Sequence, residues 1–294
     1  MSVRINSENA IELGKKLRSI GLKRILMLEE HDPQFVAMKL LSKIGNVELA
    51  GILSLANALV SYKLSSKGED YWMEFAKYFV HNPPKDLYSL PEVMLDFMRN
   101  SNGNKLLIEK KYQRLKILRD SGFLMELKEN FNYYVNNLNT LRFHLATNMN
   151  TDANLKTIVF SIKMLYYSFR ASTGVVNPLP MDIPIPIDLR IAIMSYITNI
   201  VDTKYTKKPL NEIAEIIMRN YKNAQEAWNI VAHTSQIPPL HIDSMIWPLL
   251  NITREKNYNR QHTLSFSVTF FSNIWKDLNR ETLLDIFTTM FKKL

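Results

Sequence analysis

The amino-acid sequence predicts an all-α protein, and three observations support this class. Apolar residues recur with the three- to four-residue spacing of an amphipathic helix along almost the whole chain. No stretch alternates apolar and polar residues between turn dipeptides for the length of a strand, so we expect no sheet. Finally, Gly21, Gly45, Gly122 and Gly174 each follow a helical pattern, which is where glycine commonly ends a helix. The expected architecture is a two-lobed helical domain.

The predicted helices follow one another with short interruptions. In order, the helical pattern covers residues 10–21, 34–45, 47–64, 70–80, 90–100, 106–122, 124–146, 155–172, 188–201, 210–235, 240–251 and 280–294. The stretches Asn82–Pro84 and Ser101–Asn104 are rich in Asn, Pro and Gly and are predicted loops. We find no internal repeat and no low-complexity tract.

Composition limits the function classes. The chain has 294 residues, of which 46% are hydrophobic and 22% charged, as in soluble globular proteins. The absence of cysteine excludes disulfides, thiolate catalysis and cysteine-bound metals. Its apolar runs are too short to span a membrane and no secretory signal is visible, so we expect a cytoplasmic protein. The net charge of +9 favours a polyanionic partner, most simply nucleic acid, although many basic proteins bind none.

The stretch PMDIPIPIDLR, Pro180–Arg190, interrupts the helical pattern. Proline fixes φ and lacks an amide donor, so this stretch cannot continue a helix. A helix that starts near Lys156 precedes it, and a new helix opens at Asp188. The ordinary interpretations are a solvated lysine and an N-terminal cap. A lysine at a helix start can instead become a neutral nucleophile, and a nearby aspartate can stabilise positive charge on a sugar.

Five segments occur in a familiar order: EEHDPQF (29–35), NALVSYKLSSKGEDYW (57–72), KTIVFSIKMLYY (156–167), IPIPIDLR (183–190) and IPPLHIDSMIW (237–247). Together they resemble the archaeal 8-oxoguanine DNA glycosylase/DNA lyase (AGOG) family of the helix-hairpin-helix glycosylases. The resemblance implies a glycosylase/lyase core over residues 1–250, with a helix-hairpin-helix-like element and the active site between two lobes. Residues 251–294 are then a helical C-terminal extension of unknown role.

The resemblance implies a bifunctional DNA-repair enzyme that excises 8-oxoguanine and cleaves the strand by β-elimination through a lysine imine. The matching nucleophile is Lys156, and the matching carboxylate is Asp188. Lys163 is the competing lysine, which we interpret as structural or phosphate-contacting. The implied partner is single- or double-stranded DNA that contains 8-oxoguanine. We expect a nucleoid-associated monomer that needs no cofactor and no metal.

Such an enzyme flips its target base out of the helix and holds it by stacking and by hydrogen bonds to its edge. The matching positions supply suitable substrate-binding residues: Gln34, Ser61, Trp72, Phe160, Pro186, Asp243 and Trp247. Asp243 and Trp247 are four residues apart and should share a helix face. The N7 atom of 8-oxoguanine is a hydrogen-bond donor, so a backbone carbonyl such as that of Pro186 can distinguish it from guanine. Core packing is the alternative role for each aromatic residue.

Other features depart from the family pattern or leave alternatives open. The stretch between Arg170 and Pro180 has a single glycine, so a glycine-rich phosphate cradle is not evident. A basic cluster elsewhere, which could contact phosphates or form a solvated helix face, comprises Lys110, Lys111, Arg114, Lys116 and Arg119. His31, His233 and His241 show no metal-ligand spacing and are interpreted as loop or cap residues. Two other functions remain possible: a glycosylase for another damaged base, and a non-catalytic helical DNA-binding module.

Overall fold

The computed structural model describes residues 3–205 and 207–294, and within them nearly all of the regular secondary structure is helical. In chain order the elements are β1 (Val3–Ile5), α1 (Ser7–Arg18), α2 (Gly21–Glu29), α3 (Pro33–Leu41), a 3-10 turn (Ser42–Ile44), α4 (Val47–Val60), α5 (Gly68–His81), α6 (Leu90–Asn100), α7 (Ile108–Asp120), α8 (Phe123–Glu129), α9 (Phe131–Asn136), α10 (Leu138–Asn148), α11 (Lys156–Thr173), α12 (Leu189–Ile197), β2 (Val201–Thr203), α13 (Leu210–Arg219), α14 (Tyr221–Ser235), α15 (Pro239–Glu255), α16 (Arg260–Ile274) and α17 (Arg280–Met290). The predicted all-α class is confirmed. Among the described residues, no helix is both long enough and apolar enough to cross a membrane.

The chain folds into two compact units. The central unit is the continuous segment Glu30–Pro180, and the terminal unit combines Met1–Glu29 with Met181–Leu294. Residues 251–294 therefore belong to the terminal unit. Each unit has a hydrophobic core of its own.

Helix α4 is the centre of the central unit, where it packs against α11. Its sequence is apolar on every face, and all residues from Ala50 to Val60 are buried. Gly51 lets Phe131 of α9 approach α4 closely, because a Cβ atom there would lie 2.8 Å from the Phe131 ring. Gly174 caps the C-terminus of α11. Its φ is positive, at 72°, and its amide donates a hydrogen bond to the Arg170 carbonyl, so the predicted glycine stop is present.

The terminal unit packs α1 against α14, and α2 against α15. Its apolar core includes Leu13 and Leu17 of α1, Trp228 of α14 and Leu249 of α15, all with 0% exposure. Helices α16 and α17 extend the same core with Phe271 and other buried side chains. The C-terminal segment is therefore part of a packed unit rather than a solvated appendage.

The expectation of no sheet was wrong for one short element of the terminal unit. Strands β1 and β2 pair antiparallel, with Val3 opposite Thr203 and Ile5 opposite Val201. Each strand has three residues. Three residues are too few to produce a recognisable alternation of apolar and polar side chains, so the sequence pattern could not predict this pair.

Candidate active site

Asp188 is the N-cap of α12 in the terminal unit. Its Oδ1 atom accepts hydrogen bonds from the amides of Arg190 and Ile191 at 2.9 and 3.0 Å. Its Oδ2 atom contacts the guanidinium of Arg190, at 3.0 Å from Nε and 2.9 Å from Nη2. These donors fix the carboxylate and stabilise its negative charge, and the side chain is only 13% exposed. The predicted cap is therefore present, with Arg190 as a second support.

The proline-rich stretch before Asp188 adopts no helix or strand, as predicted. Within the terminal unit, Ile185 and Ile187 enter the apolar core. The carbonyl of Ile185 accepts a hydrogen bond of 3.2 Å from the side-chain amide of Gln225. Pro186 is buried between the two isoleucines. Alternate side chains of this extended stretch thus anchor it, and the prolines limit its backbone freedom.

Lys156 is the first residue of α11 in the central unit and is half-buried. The preceding residue, Leu155, provides no side-chain cap for the helix. The first turn is held from α7 instead, since Nη2 of Arg114 donates a hydrogen bond of 2.8 Å to the hydroxyl of Thr157. The predicted nucleophile therefore lies at the positive end of an 18-residue helix whose first turn is anchored.

Lys163 lies two turns further along α11 and is 1% exposed. Its Nζ atom is 5.3 Å from the centroid of the Tyr167 ring. The hydroxyl of Tyr167 donates to Oδ2 of Asp32 at 3.1 Å. Lys163 is thus part of the packed interior.

Trp72 and Phe160 are in contact in the central unit. Their ring centroids are 5.9 Å apart with an interplanar angle of 77°. Trp72 is 1% exposed and also packs edge to face against Phe75. Phe160 is half-buried. Phe160 consequently has free surface, whereas Trp72 is enclosed by other aromatic rings.

Two polar candidates of the central unit lie at helix ends. Gln34 is half-buried in the first turn of α3, where its backbone amide donates a hydrogen bond of 2.8 Å to Oδ1 of Asp32. Ser61 caps the C-terminus of α4 and donates its hydroxyl to the carbonyl of Asn57 at 2.7 Å. Hydrogen bonds at the helix ends therefore fix the backbone positions from which the Gln34 and Ser61 side chains extend.

Asp243 and Trp247 lie on α15 of the terminal unit, as predicted for residues four apart on one helix. Within His241–Leu250 these two residues are half-buried and the other eight are buried. A single face of this part of α15 therefore retains accessible surface, and it presents a carboxylate beside an indole. Pro248 lies inside the helix directly after Trp247.

His241 is not the loop or cap residue that the sequence suggested. It lies inside α15 with 0% exposure, and its Nδ1 atom is 2.7 Å from Oε1 of Glu29, which is also fully buried. Ser244 donates its hydroxyl to the same oxygen at 3.0 Å. This buried polar group joins the end of α2 to the start of α15. No sequence pattern predicts this contact, because Glu29 and His241 are far apart along the chain.

The basic cluster of α7 is neither a uniform solvated face nor a uniform phosphate-contacting one. Lys111 is fully buried, and its Nζ atom donates to Oδ1 of Asn104 and lies 5.0 Å from the centroid of the Tyr62 ring. Burial lowers the pKa of the Lys111 amine to about 8. Arg119 forms ion pairs with acidic neighbours, including one of 3.0 Å with Glu92. Lys110 alone of these three is exposed and unpaired within the described residues.

A family model decides what kind of protein this is. The model described as AGOG, N-glycosylase/DNA lyase, matches residues 14–278. The chain belongs to the AGOG family. The resemblance based on five sequence segments is thereby confirmed, and so is the predicted enzyme class, a DNA N-glycosylase with lyase activity.

Individual AGOG relatives are similar to this chain over most of its length. The N-glycosylase/DNA lyase of Methanopyrus kandleri is 38% identical over 234 residues, which cover 79% of this chain and 86% of the relative. That of Thermococcus kodakarensis is 36% identical over 252 residues, which cover 85% and 87%. The crystal structure of 8-oxoguanosine-complexed Pa-AGOG, the 8-oxoguanine DNA glycosylase from Pyrobaculum aerophilum, superposes with a TM-score of 0.69 at 31% identity, covering 83% of this chain and 86% of that one.

Proposed function

We propose that the protein excises 8-oxoguanine from DNA and then cleaves the strand through a Schiff base on Lys156. Membership of the AGOG family supports the glycosylase and lyase activities, and the solved relative in complex with 8-oxoguanosine supports the choice of base. One observation favours Lys156 as the nucleophile over Lys163. Lys156 is half-buried at a helix start, whereas Lys163 is 1% exposed inside the packed helix. A nucleophile has to reach the sugar of an extruded nucleotide, which requires accessible surface.

In the proposed reaction the neutral amine of Lys156 attacks C1′ of the damaged nucleotide. The bond between C1′ and the base breaks, and the base leaves with the electron pair and takes up a proton. The C1′–O4′ bond then breaks as O4′ takes up the remaining amine proton, and the opened sugar is left as an imine between Lys156 and C1′. Loss of a proton from C2′ breaks the C3′–O3′ bond, so the 3′ phosphate departs and the strand is cleaved.

Asp188 is proposed to stabilise the positive charge that develops on the sugar as the base departs. A carboxylate is suited to this role only if it is ionised and held in one orientation. The two amide donors and the Arg190 guanidinium meet both requirements. Capping and catalysis are therefore compatible roles for the same side chain.

Base recognition is proposed to divide between stacking and edge contacts. Phe160 supplies an accessible ring backed by Trp72, and Trp247 supplies an indole with an N–H donor. Gln34, Ser61 and Asp243 offer polar groups for the base edge, and each is half-buried. The carbonyl of Pro186 is the proposed acceptor for the N7 proton of 8-oxoguanine, since a proline-rich backbone can hold a carbonyl outside regular structure.

Borohydride trapping tests the proposal. The wild-type protein is incubated with otherwise identical duplexes that carry 8-oxoguanine, guanine, hypoxanthine or a preformed abasic site at one position, and with the 8-oxoguanine single strand. We expect covalent adducts on the 8-oxoguanine and abasic substrates and none on guanine. A stronger adduct with hypoxanthine would assign a different base, and no adduct on the abasic duplex would refute the imine mechanism.

A further inference from the structure

A chain of buried hydrogen bonds runs from α7 to the end of α4 within the central unit. The amine of Lys111 donates to Oδ1 of Asn104, and Nδ2 of Asn104 donates to the hydroxyl oxygen of Tyr71 at 2.9 Å. The hydroxyl of Tyr71 donates in turn to Oδ1 of Asn57. All four side chains have 0% exposure. None of the bonds involves the proposed catalytic residues.

Lys111 fixes the direction of this chain. A lysine ammonium can only donate hydrogen bonds, so Asn104 has to turn its oxygen toward Lys111 and its nitrogen toward Tyr71. The Tyr71 hydroxyl then accepts a hydrogen bond from Asn104 and donates its own proton to Oδ1 of Asn57. Asn57 consequently turns its oxygen toward Tyr71, and its Nδ2 atom is buried without a partner among the described residues. One donor-only residue thus sets the orientation of three others.

This arrangement is costly for folding. A buried cation without a carboxylate partner is unfavourable, and within the described residues no acidic group pairs with Lys111. Burial accordingly lowers the pKa of its amine to about 8. The unpartnered Asn57 amide adds a second unfavourable feature. Apolar residues would fill the same space at lower cost, which indicates that the network serves function rather than stability.

The network adjoins Ser61, which is proposed to contact the base, and Trp72, which is proposed to back the Phe160 ring. Ser61 donates to the carbonyl of Asn57 at 2.7 Å. Burial raises the pKa of the Tyr71 hydroxyl, and its hydrogen bonds partly offset that rise. The Tyr71 ring meets that of Trp72 at 6.2 Å between centroids. Ser61 is therefore held by Asn57 and Trp72 packs against Tyr71, so the network contacts both residues.

We propose that Lys111 is a positioning residue for base recognition, which orients Asn104 and Tyr71 so that Ser61 and Trp72 are held in place for the flipped base. The inference rests on the proposed function of Ser61 and Trp72. Lys111 itself is fully buried and has no direct contact with DNA in this role. Its effect should therefore be confined to steps that need a base in the pocket.

Three variants separate this role from a purely structural one. Lys111→Met removes the donor and the buried charge with little change in length, and Lys111→Gln keeps a donor without the charge. Lys77→Met is the matched control, since it removes a charge from an exposed position of α5, the helix that carries Tyr71 and Trp72. Single-turnover excision of 8-oxoguanine, borohydride trapping on a preformed abasic duplex and urea unfolding are measured for each.

We expect Lys111→Met to slow 8-oxoguanine excision at least tenfold, to leave abasic trapping within twofold of wild type, and to be as stable to urea or more stable. Lys111→Gln should recover most of the excision rate, and Lys77→Met should match wild type. Equal losses of excision and abasic trapping, unchanged excision, or a loss of excision accompanied by destabilisation would each overturn the positioning role. If the wild-type protein neither excises 8-oxoguanine nor forms an abasic adduct, the proposed function fails first, and this role with it.

Discussion

Trp72 meets Phe160 edge to face, with ring centroids 5.9 Å apart and planes inclined by 77°. Because Trp72 is 1% exposed, its ring also supports the core of the central unit. Trp72→Ala should therefore lower the free energy of unfolding by about 3–5 kcal/mol, as truncation of a buried aromatic residue does. Phe160 is only half-buried, so Phe160→Ala should lower the free energy of unfolding by less and should mainly weaken lesion binding. Urea unfolding and equilibrium binding to an 8-oxoguanine duplex measure the two effects, and a Phe160→Ala protein that binds the lesion normally would place the base elsewhere.

Lys156→Gln should abolish strand cleavage and borohydride trapping while DNA binding is largely retained, because imine formation needs an amine. Lys163→Gln is the matched control on the same helix, and it should retain trapping in the fraction of protein that folds. Trapping is measured on the abasic duplex and binding on an undamaged one. Trapping that survives in Lys156→Gln and disappears in Lys163→Gln would reverse the assignment of the two lysines.

Asp188→Asn should lower the rate of base excision by at least about 100-fold, because an amide lacks the charge that stabilises the sugar cation. Stability should change little, since asparagine also accepts hydrogen bonds from the first amides of a helix. Asp188→Ala removes both functions and should in addition lose about 1 kcal/mol of stability. Single-turnover excision and urea unfolding distinguish the variants. Near-normal excision by Asp188→Asn would leave Asp188 with its capping role alone.

Gln34→Ala and Asp243→Ala should reduce the preference for 8-oxoguanine over guanine more than they reduce binding to undamaged DNA. A polar group of the bound base that is buried without its partner costs about 1–3 kcal/mol, and this cost applies to the base that is specifically recognised. Excision rates on the two bases give the preference, and a filter-binding assay gives the affinity. Parallel losses in both measurements would indicate general DNA contacts rather than edge recognition.

The pKa of Lys111 predicts a pH-dependent stability. Its usual value is 10.5 and burial lowers it to about 8, so between these values the unfolded chain binds more protons than the folded one. The contribution of Lys111 is therefore most unfavourable below pH 8 and is relieved as pH rises toward 10.5. Relative to Lys111→Met, the wild type should gain on the order of 2–3 kcal/mol between pH 7.5 and pH 10.5 in urea unfolding. A constant difference between the two proteins would show that the amine titrates normally.

The sequence predicted the N-cap position of Asp188 correctly, because the signals there are local. A run of prolines, an aspartate and an apolar helical pattern follow directly on one another, and each acts on its immediate neighbours. Helix α16 was missed for the opposite reason. Its sequence, RQHTLSFSVTFFSNI, is rich in Ser, Thr, Phe and Val, which favour helices only weakly, and packing against α17 stabilises it instead.

The buried polar contacts could not be predicted from the sequence. Lys111 has the same charge as its neighbour Lys110 and lies in a strongly basic stretch, so composition gave no reason to bury one and expose the other. Glu29 and His241 meet only through the tertiary packing of α2 against α15. Helical spacing identifies which residues share a face, but it does not identify which distant polar group that face will meet.

The discontinuous make-up of the terminal unit bears on how the protein folds during synthesis. The continuous segment Glu30–Pro180 has left the ribosome well before the last helix is made, and domains generally fold as they emerge. Helix α1 cannot complete its packing until the C-terminal helix is made, because Lys292 contacts Asn9 at 2.6 Å and Asp285 of α17 pairs with Lys16 at 2.6 Å. Until then the apolar side chains of α1 lack their final neighbours and are available to chaperones and to other nascent chains. Premature termination near the 3′ end of the message should thus yield a chain with a folded centre and an unfinished, aggregation-prone remainder.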